Sequence, residues 1–227
     1  MARQKITRRD ILKGTAAAGL LGTLGAPAAV LADKDKDDDD GKRIRWDIVN
    51  ILPLADCVKP GGHASARAQD GAKITVTGSG TFPNVRNRCS RHVTGGGTWT
   101  ITPGTAPGCF SGSGNYEVTE LLSWNVAPGV FPVICDTIGA EEDFRGGLAK
   151  LRVKYSNGTT GVLTVSCHAA GTPDCVFEGI TASMDYEDFW NAEAPDPAPP
   201  DVDANRTAFH VVRRRMTTTT TSQPLRT

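Results

Sequence analysis

The stretch "SCHAAGTPDCVFEG" brings His168, Asp174 and Glu178 close together in the chain. An imidazole and a carboxylate within reach of one another can take and return a proton near neutral pH, the working pair of a hydrolase or an isomerase. Arg152, upstream in "GLAKLRVKY", joins that set if its strand lies alongside. Glu120 in "NYEVTELLSWNV" is a second candidate acid, because strand alternation places it among Tyr116, Val118, Leu122 and Trp124, where burial would raise its pKa. A third group is "MDYEDFWN", which gathers Asp185, Glu187 and Asp188 beside Tyr186, Phe189 and Trp190. Aromatic faces next to carboxylates suit sugar binding or a cation site, so Asp185, Tyr186, Glu187 and Trp190 are the binding candidates.

Each group also has a structural explanation. If the sheet face carrying Lys150, Arg152, Lys154, Thr164, Ser166, His168, Asp174 and Glu178 meets water, it is an ordinary polar surface whose ion pairs contribute at most about 1 kcal/mol each. Only a barrel closed with that face inside makes it a polar cavity; the solvated arrangement is the expected one. A bulge near Thr119 would turn Glu120 outward, and that too is expected. For "MDYEDFWN" the expectation is a short helix or loop capping the sheet end with its aromatics buried.

Other chemistries lack their residues. The chain has no Ser nucleophile elbow, no His-Glu-x-x-His, no copper-ligand cluster and no haem Cys-x-x-Cys-His, so no cofactor is expected. Close ligand pairs such as Cys-x-x-Cys or His-x-x-x-His are absent, and no metal site is expected. "DKDKDDDDGK" offers alternate aspartates, but setting Gly41 at the turn of a calcium loop puts Lys36 at the first ligand position, so it reads as a solvated spacer. "NVRNRCSRH" collects Arg86, Arg88, Arg91 and His92 on one solvated loop.

The elements that must position these residues announce themselves in a repeat. "GSGTF" from Gly78, "GGGTW" from Gly95 and "GSGNY" from Gly112 each run glycines into an aromatic. A phosphate loop needs its glycines at a strand-to-helix turn, usually with a Lys following, and a β-rich run follows each cluster here. Drawn as strands, all three share one template. Ile74, Val76, Gly78, Gly80 and Phe82 face one way, as do Val93, Gly95, Gly97, Trp99 and Ile101, and then Phe110, Gly112, Gly114, Tyr116 and Val118. Hydroxyl-bearing or small residues occupy the opposite side. The pattern predicts neighbouring antiparallel strands with Phe82, Trp99 and Tyr116 filling glycine gaps.

Residues 147–184 read as a three-stranded meander with turns at Asn157-Gly158 and Gly171–Asp174. A two-residue turn would oppose Leu151 to Thr164 and mix the faces. A one-residue slip that opposes Val153 to Leu163 and Leu151 to Val165 restores them. The second turn then opposes Val165 to Phe177 and Cys167 to Cys175, predicting a disulfide between that pair. The partners of Cys57, Cys89, Cys109 and Cys135 stay open.

The N-terminus explains why disulfides are expected at all. "TRRDILKGTAAAGLLGTLGAPAAVLA" has paired Arg8 and Arg9, a weakly apolar Ala/Gly-rich run, and small residues at Val30 and Ala32 that suit a signal peptidase. In Thr7, Arg8, Arg9, Ile11, Leu12 and Lys13 it resembles a twin-arginine export signal, which implies contact with the export machinery and secretion or placement in the periplasm or cell envelope. Glycines and Pro27 interrupt the run, and no other segment approaches the roughly 20 apolar residues of a membrane span. Without residues 1–32 the chain carries 20 basic and 24 acidic residues, about −4, which argues against nucleic acid as a partner.

The expected organisation is a signal peptide over 1–32, an acidic disordered spacer over 33–43, a β domain over 44–212 and a disordered tail over 213–227. The domain includes a proline-rich connector (193–206) and a last strand, "TAFHVV", that pairs back onto the sheet. Its fold class is all-β, a single antiparallel β-sandwich or β-barrel with disulfides. In "GSGTF", "GGGTW" and "VLTVSCHAAGTPDCVFEGITASM" that body resembles uncharacterised exported bacterial β-proteins, a likeness that implies no function. The functional expectation is a secreted or cell-envelope binding or structural module, without enzymatic activity, for a glycan or envelope component. The alternative is a small barrel hydrolase or isomerase around His168.

Overall fold

The computed structural model describes residues 42–51, 57–85, 89–105, 110–130, 135–195 and 204–213. The signal positions Arg8, Arg9 and Ala32, the spacer up to residue 41, Arg86, Arg88, Cys109, residues 196–203 of the connector and the tail beyond 213 lie outside the described residues.

The described chain is built from strands: β1 (Lys42–Ile51), β2 (Cys57–Pro60), β3 (Ala64–Arg67), β4 (Lys73–Val76), β5 (Ser79–Pro83), β6 (Thr94–Thr102), β7 (Gly112–Ala127), β8 (Cys135–Asp136), β9 (Phe144–Tyr155), β10 (Thr160–Cys167), β11 (Gly179–Met184), β12 (Glu187–Phe189), β13 (Asn191–Ala192) and β14 (Arg206–Arg213). Six of them, β1, β5, β6, β7, β9 and β14, pair antiparallel in a closed ring. Closure removes the exposed strand edges that an open sheet would leave. From β9 the sheet continues through β10 and β11 to β12, and from β6 through β4 and β3 to β13; β2 lies against β1 and pairs in parallel with β8. The fold class is therefore the expected one, as a barrel with two sheet extensions. β14, the last strand, does more than pair back: it sits between β1 and β9 and closes the ring.

Period-two alternation fills the barrel. Trp46, Phe82, Trp124 and Phe209 are completely buried, with ring centroids 4.7 Å apart for Trp124–Phe209 and 5.4 Å for Phe82–Trp124. Trp99, Tyr116 and Tyr155 form a second aromatic group, Trp99 standing edge-on to Tyr155 at 5.9 Å. Their polar atoms find partners: Tyr116 Oη donates to Thr77 O (2.7 Å), Tyr155 Oη to Ser183 O (2.9 Å) and Trp99 Nε1 to Asn115 O (3.1 Å). The threonines and serines of the glycine strands lie on the outer side, where Thr77–Thr98 and Thr81–Thr94 hydroxyls bond at 2.8 and 2.9 Å.

The glycines act in the sheet, as the repeat predicts. One register joins β6 to β4 and then to β5, so residues 73–81 are a single ribbon along β6. Its other edge serves β3 at one end and β1 at the other, and the ribbon must bend between them. At that bend a Cβ on Gly97 would strike Thr77 O and come within 2.8 Å of Gly78 Cα, and one on Gly80 would strike Thr94 O and lie 2.7 Å from Gly95 Cα. Trp99 covers the gap at Gly114, and the Tyr116 hydroxyl occupies the one at Gly78. Phe82 departs from expectation: it packs on Trp124 and Phe209, and the notch at Gly80 is taken by Trp46 from the neighbouring β1.

The meander has its three strands, but both turns differ from expectation. Tyr155 N–H bonds Thr159 O around Ser156-Asn157-Gly158, so Leu151 opposes Leu163 and Ala149 opposes Val165. The slip thus runs in the opposite direction from the expected one; either direction preserves the faces. At the second turn Val165 opposes Ile180 and Ser166 opposes Gly179, which leaves 168–178 as a long loop. Cys167 consequently opposes Gly147 and is buried, Cys175 is exposed on the loop, and the expected disulfide is not formed. The disulfide joins Cys57 to Cys135 across the parallel β2–β8 bridge.

Gly80→Ala is expected to lose about 3 kcal/mol in urea unfolding, because backbone on the facing strand cannot retreat from the new methyl. Replacing Cys57 and Cys135 by Ser frees a closure of 78 residues and is expected to lower stability by about 3–5 kcal/mol in the same measurement.

Candidate functional site

Two places concentrate chemistry. The first is a cavity of about 70 Å³ at one end of the barrel, where β1 and β10 finish and β9 and β14 begin. Val58, Phe144, Cys167, His168, Glu178 and Thr207 line it. Glu178 is half-buried at its rim and bridges two strands: Oε2 accepts the His168 backbone N–H and Oε1 that of Thr207, both at 2.6 Å. The Thr207 hydroxyl passes the tie to Ser166 O (2.7 Å). Burial pushes the Glu178 carboxyl up to about 7, against the pull of those backbone donors and of Arg206. The neighbouring Cys167 thiol is pushed up by burial and by Glu178, which keeps it a protonated, inert sulfhydryl.

His168 and Glu178 thus meet here, but through the His168 backbone. The imidazole is turned to the Val176 carbonyl, to which Nδ1 donates at 2.6 Å. Asp174 is exposed on the loop. Arg152 belongs to another region: it projects from the outer wall of the barrel, opposite Val162 on β10, and bonds Glu120 Oε2 at 3.0 Å. Lys150 and Lys154 share its outer face, so this part of the expected polar face is solvated. Glu120 points outward because the β7–β9 register shifts between Val118 and Glu120, the bulge anticipated near Thr119. The expected row of Arg152, Thr164 and Glu178 does not form, since Thr164 lies between Lys150 and Thr181.

The second place is the β11–β12 hairpin. Asp185 turns the chain with φ of 48° and locks it to the start of β10, its N–H donating to Thr160 O (2.7 Å) and its Oδ1 accepting from Thr160 N (3.0 Å). Alternation beyond the turn buries Glu187 and Phe189 and directs Tyr186, Asp188 and Trp190 outward. The expected cap with buried aromatics is therefore corrected: Phe189 is buried, but Tyr186 is 78% exposed and Trp190 55%. Tyr186 leans on Phe110, with ring centroids 5.3 Å apart at 38°. Glu187 accepts the Phe110 backbone N–H, its Oε2 has no partner, and burial followed by repulsion from Asp70 raises its pKa.

Phe110 was visible in the sequence only as the apolar lead of the third glycine repeat; its place beside Tyr186 comes from long-range folding. Also unforeseen is a buried polar cluster against the outer side of β1 and β14. Arg45 holds Asp47 through two 2.8 Å bonds, and His210 Nε2 lies 2.7 Å from Asp136 Oδ2, next to the disulfide. Among the described residues no group of three or more His, Cys, Asp or Glu is arranged to hold a metal ion, and no helix is long and apolar enough to cross a membrane.

Residues 5–25 match the twin-arginine translocation pathway signal sequence family. No curated protein and no solved structure matches the chain. The protein is therefore exported through the twin-arginine machinery to the periplasm, the cell envelope or beyond, and its exported body is an all-β barrel.

The folded state holds the Glu178 proton up to about 7, while the unfolded chain releases it near 4.5. Stability is therefore expected to fall as pH rises between those values, by at most about 3 kcal/mol, and to level off above them. Urea midpoints measured across this range should show that slope in the wild type and lose it in Glu178→Gln.

Proposed function

We propose that the mature domain is a non-enzymatic binding module whose ligand face is the outward side of the β11–β12 hairpin and whose ligand is a saccharide. The observation that carries this reading is the exposure of Tyr186 and Trp190 on one side of the same hairpin, with Asp188 between them. Among the described residues nearly all other large apolar side chains belong to the core or pack against it, and the barrel interior is filled with aromatics. Exposed rings four positions apart with a carboxylate midway between them offer flat apolar faces for the C–H side of a sugar ring and an acceptor for its hydroxyls. Export to the envelope or beyond brings such a face to surface polysaccharides.

A hydrolase or isomerase at the end-of-barrel cavity is the second reading, favoured by a Glu178 carboxyl that titrates close to neutrality beside His168. Weighing against it, both Glu178 oxygens are engaged with backbone donors that join β10 to β14.

Purified mature protein is expected to be retained on at least one of cellulose, chitin, xylan and isolated bacterial cell walls, with Tyr186→Ala and Trp190→Ala each weakening retention about tenfold. Glu178→Gln should bind as the wild type does. Absence of retention on every polymer would sink the binding reading, and turnover of an ester or glycoside substrate that is lost in Glu178→Gln would replace it with the cavity enzyme.

A further inference from the structure

We propose that the Cys57–Cys135 disulfide is a redox-sensitive latch: it holds residues 135–139 as a strap over His210, and its reduction opens the strap while the barrel stays closed. Strand β7 pairs directly with β9, Ala127 opposing Gly146, so the connection between them leaves and rejoins a ladder that is complete without it. Within that connection β8 reaches sideways to β2. Among the described residues its ladder there is two pairs, Cys57 with Cys135 and Val58 with Asp136. Thr137 adds its N–H and hydroxyl, donated to Val58 O at 3.0 and 2.9 Å. The covalent bond thus anchors a segment whose own pairing is short.

What the segment covers is the outer wall of β14. Phe209 and Val211 belong to the core, so alternation sends His210 outward. An outward imidazole on a barrel wall ordinarily meets solvent, yet His210 is only 1% exposed. Phe144 flanks its ring, with centroids 5.7 Å apart, and the strap supplies further cover. Asp136 Oδ2 lies 2.7 Å from His210 Nε2, and a Cβ on Gly139 would fall 2.6 Å from His210 Cδ2. Asp136 Oδ1 accepts the Ile138 N–H at 2.7 Å, and Ile138 packs against the core. Because Asp136 follows Cys135 directly, freeing the sulfur frees the carboxylate to leave the imidazole. β14 itself keeps its ladder along β1, from Lys42–Arg213 to Val49–Arg206, and its tie to Glu178, so the ring does not need the strap.

Cys135 is exposed, within reach of a dithiol reductant. One thiolate of the reductant attacks a sulfur of the bridge, giving a mixed disulfide and a cysteine thiolate that takes up a proton. The second thiol of the reductant then displaces the other cysteine, leaving two protein thiols and one oxidised dithiol. An oxidising compartment keeps the latch shut; a dithiol reductant uncovers an imidazole beside Arg45 on the barrel wall.

Carbethoxylation of histidines with diethyl pyrocarbonate near neutral pH, read by peptide mass mapping, tests this, with exposed His92 as the internal standard. In the oxidised mature protein His92 is expected to react and His210 to stay protected. In reduced protein freed of reductant, and in the variant carrying Cys57→Ser and Cys135→Ser, His210 should react at least about tenfold faster, as expected of a segment that opens locally. The near-UV circular dichroism of the buried tryptophans should be unchanged. Asp136→Asn with the bridge intact should leave His210 protected. Protection that survives reduction overturns the latch. Loss of the near-UV signal together with protection in the reduced wild type also overturns it, because the bond then supports the whole barrel. His210 as reactive in bridged Asp136→Asn as in the reduced protein would make the ion pair the holder and overturn it as well.

Discussion

Backbone meeting backbone, with no side chain between, is the contact on which this fold depends. The ribbon over residues 73–83 must serve β3 at one end and β1 at the other while staying paired to β6 throughout. It can bend between them because Gly78, Gly80, Gly95 and Gly97 meet at the bend, where a single Cβ would collide with a facing carbonyl or Cα. Gly95, at φ of 127°, also holds a backbone conformation that L side chains seldom adopt. β9 makes a comparable transfer, pairing with β14 at its start and with β10 beyond, and there Gly147 gives way to the Trp124 ring. These glycines trade the conformational freedom they lose on folding for a closed ring and the aromatic core within it.

A core filled in this way leaves no open lumen among the described residues. Trp46, Phe82, Trp124, Phe209, Trp99, Tyr116 and Tyr155 occupy the space that larger barrels leave open. Chemistry is consequently found at the barrel end and on the sheet extensions. The end is fastened by polar ties centred on β14: Glu178 joins Thr207 to His168, and Asp136 reaches His210 beside the Cys57–Cys135 bridge. Because β14 completes the ring and no hairpin turn joins it to β1 or to β9, these contacts fasten it to the strands around the barrel end. The same logic makes the Glu178 carboxylate a brace first, with both oxygens occupied by the groups that join the strands.

The candidate residues divide by how local their environments are. Glu120 faces outward as alternation plus a bulge predicts, since its orientation depends on the two ladders beside it. The exposure of Tyr186 and Trp190 depended on whether "MDYEDFWN" coils or turns sharply, and that choice came from the Asp185 contacts with Thr160, a residue on a different strand. His168 and Asp174 parted because the second turn of the meander lengthened from four residues into a loop over 168–178, moving Cys175 and Asp174 to the surface. Phe110 beside Tyr186 and Asp70 beside Glu187 join segments far apart in the chain, and no spacing pattern encodes such meetings.

Short-range pattern by itself determined that this protein is exported, that its body is made of antiparallel strands, and which side of the glycine strands carries the aromatics. Each follows from a periodicity or motif contained within a few residues, where sterics and side-chain direction leave little choice. Tertiary structure alone decided that the sheet closes on six strands, that β14 completes the ring, that Cys57 bonds Cys135 while Cys167 stays buried outside any disulfide, and that Tyr186 and Trp190 stand exposed. Those outcomes depend on loop lengths and on which strand edges meet. Such pairings are chosen by the total burial of the closed barrel rather than by the residues flanking any one turn.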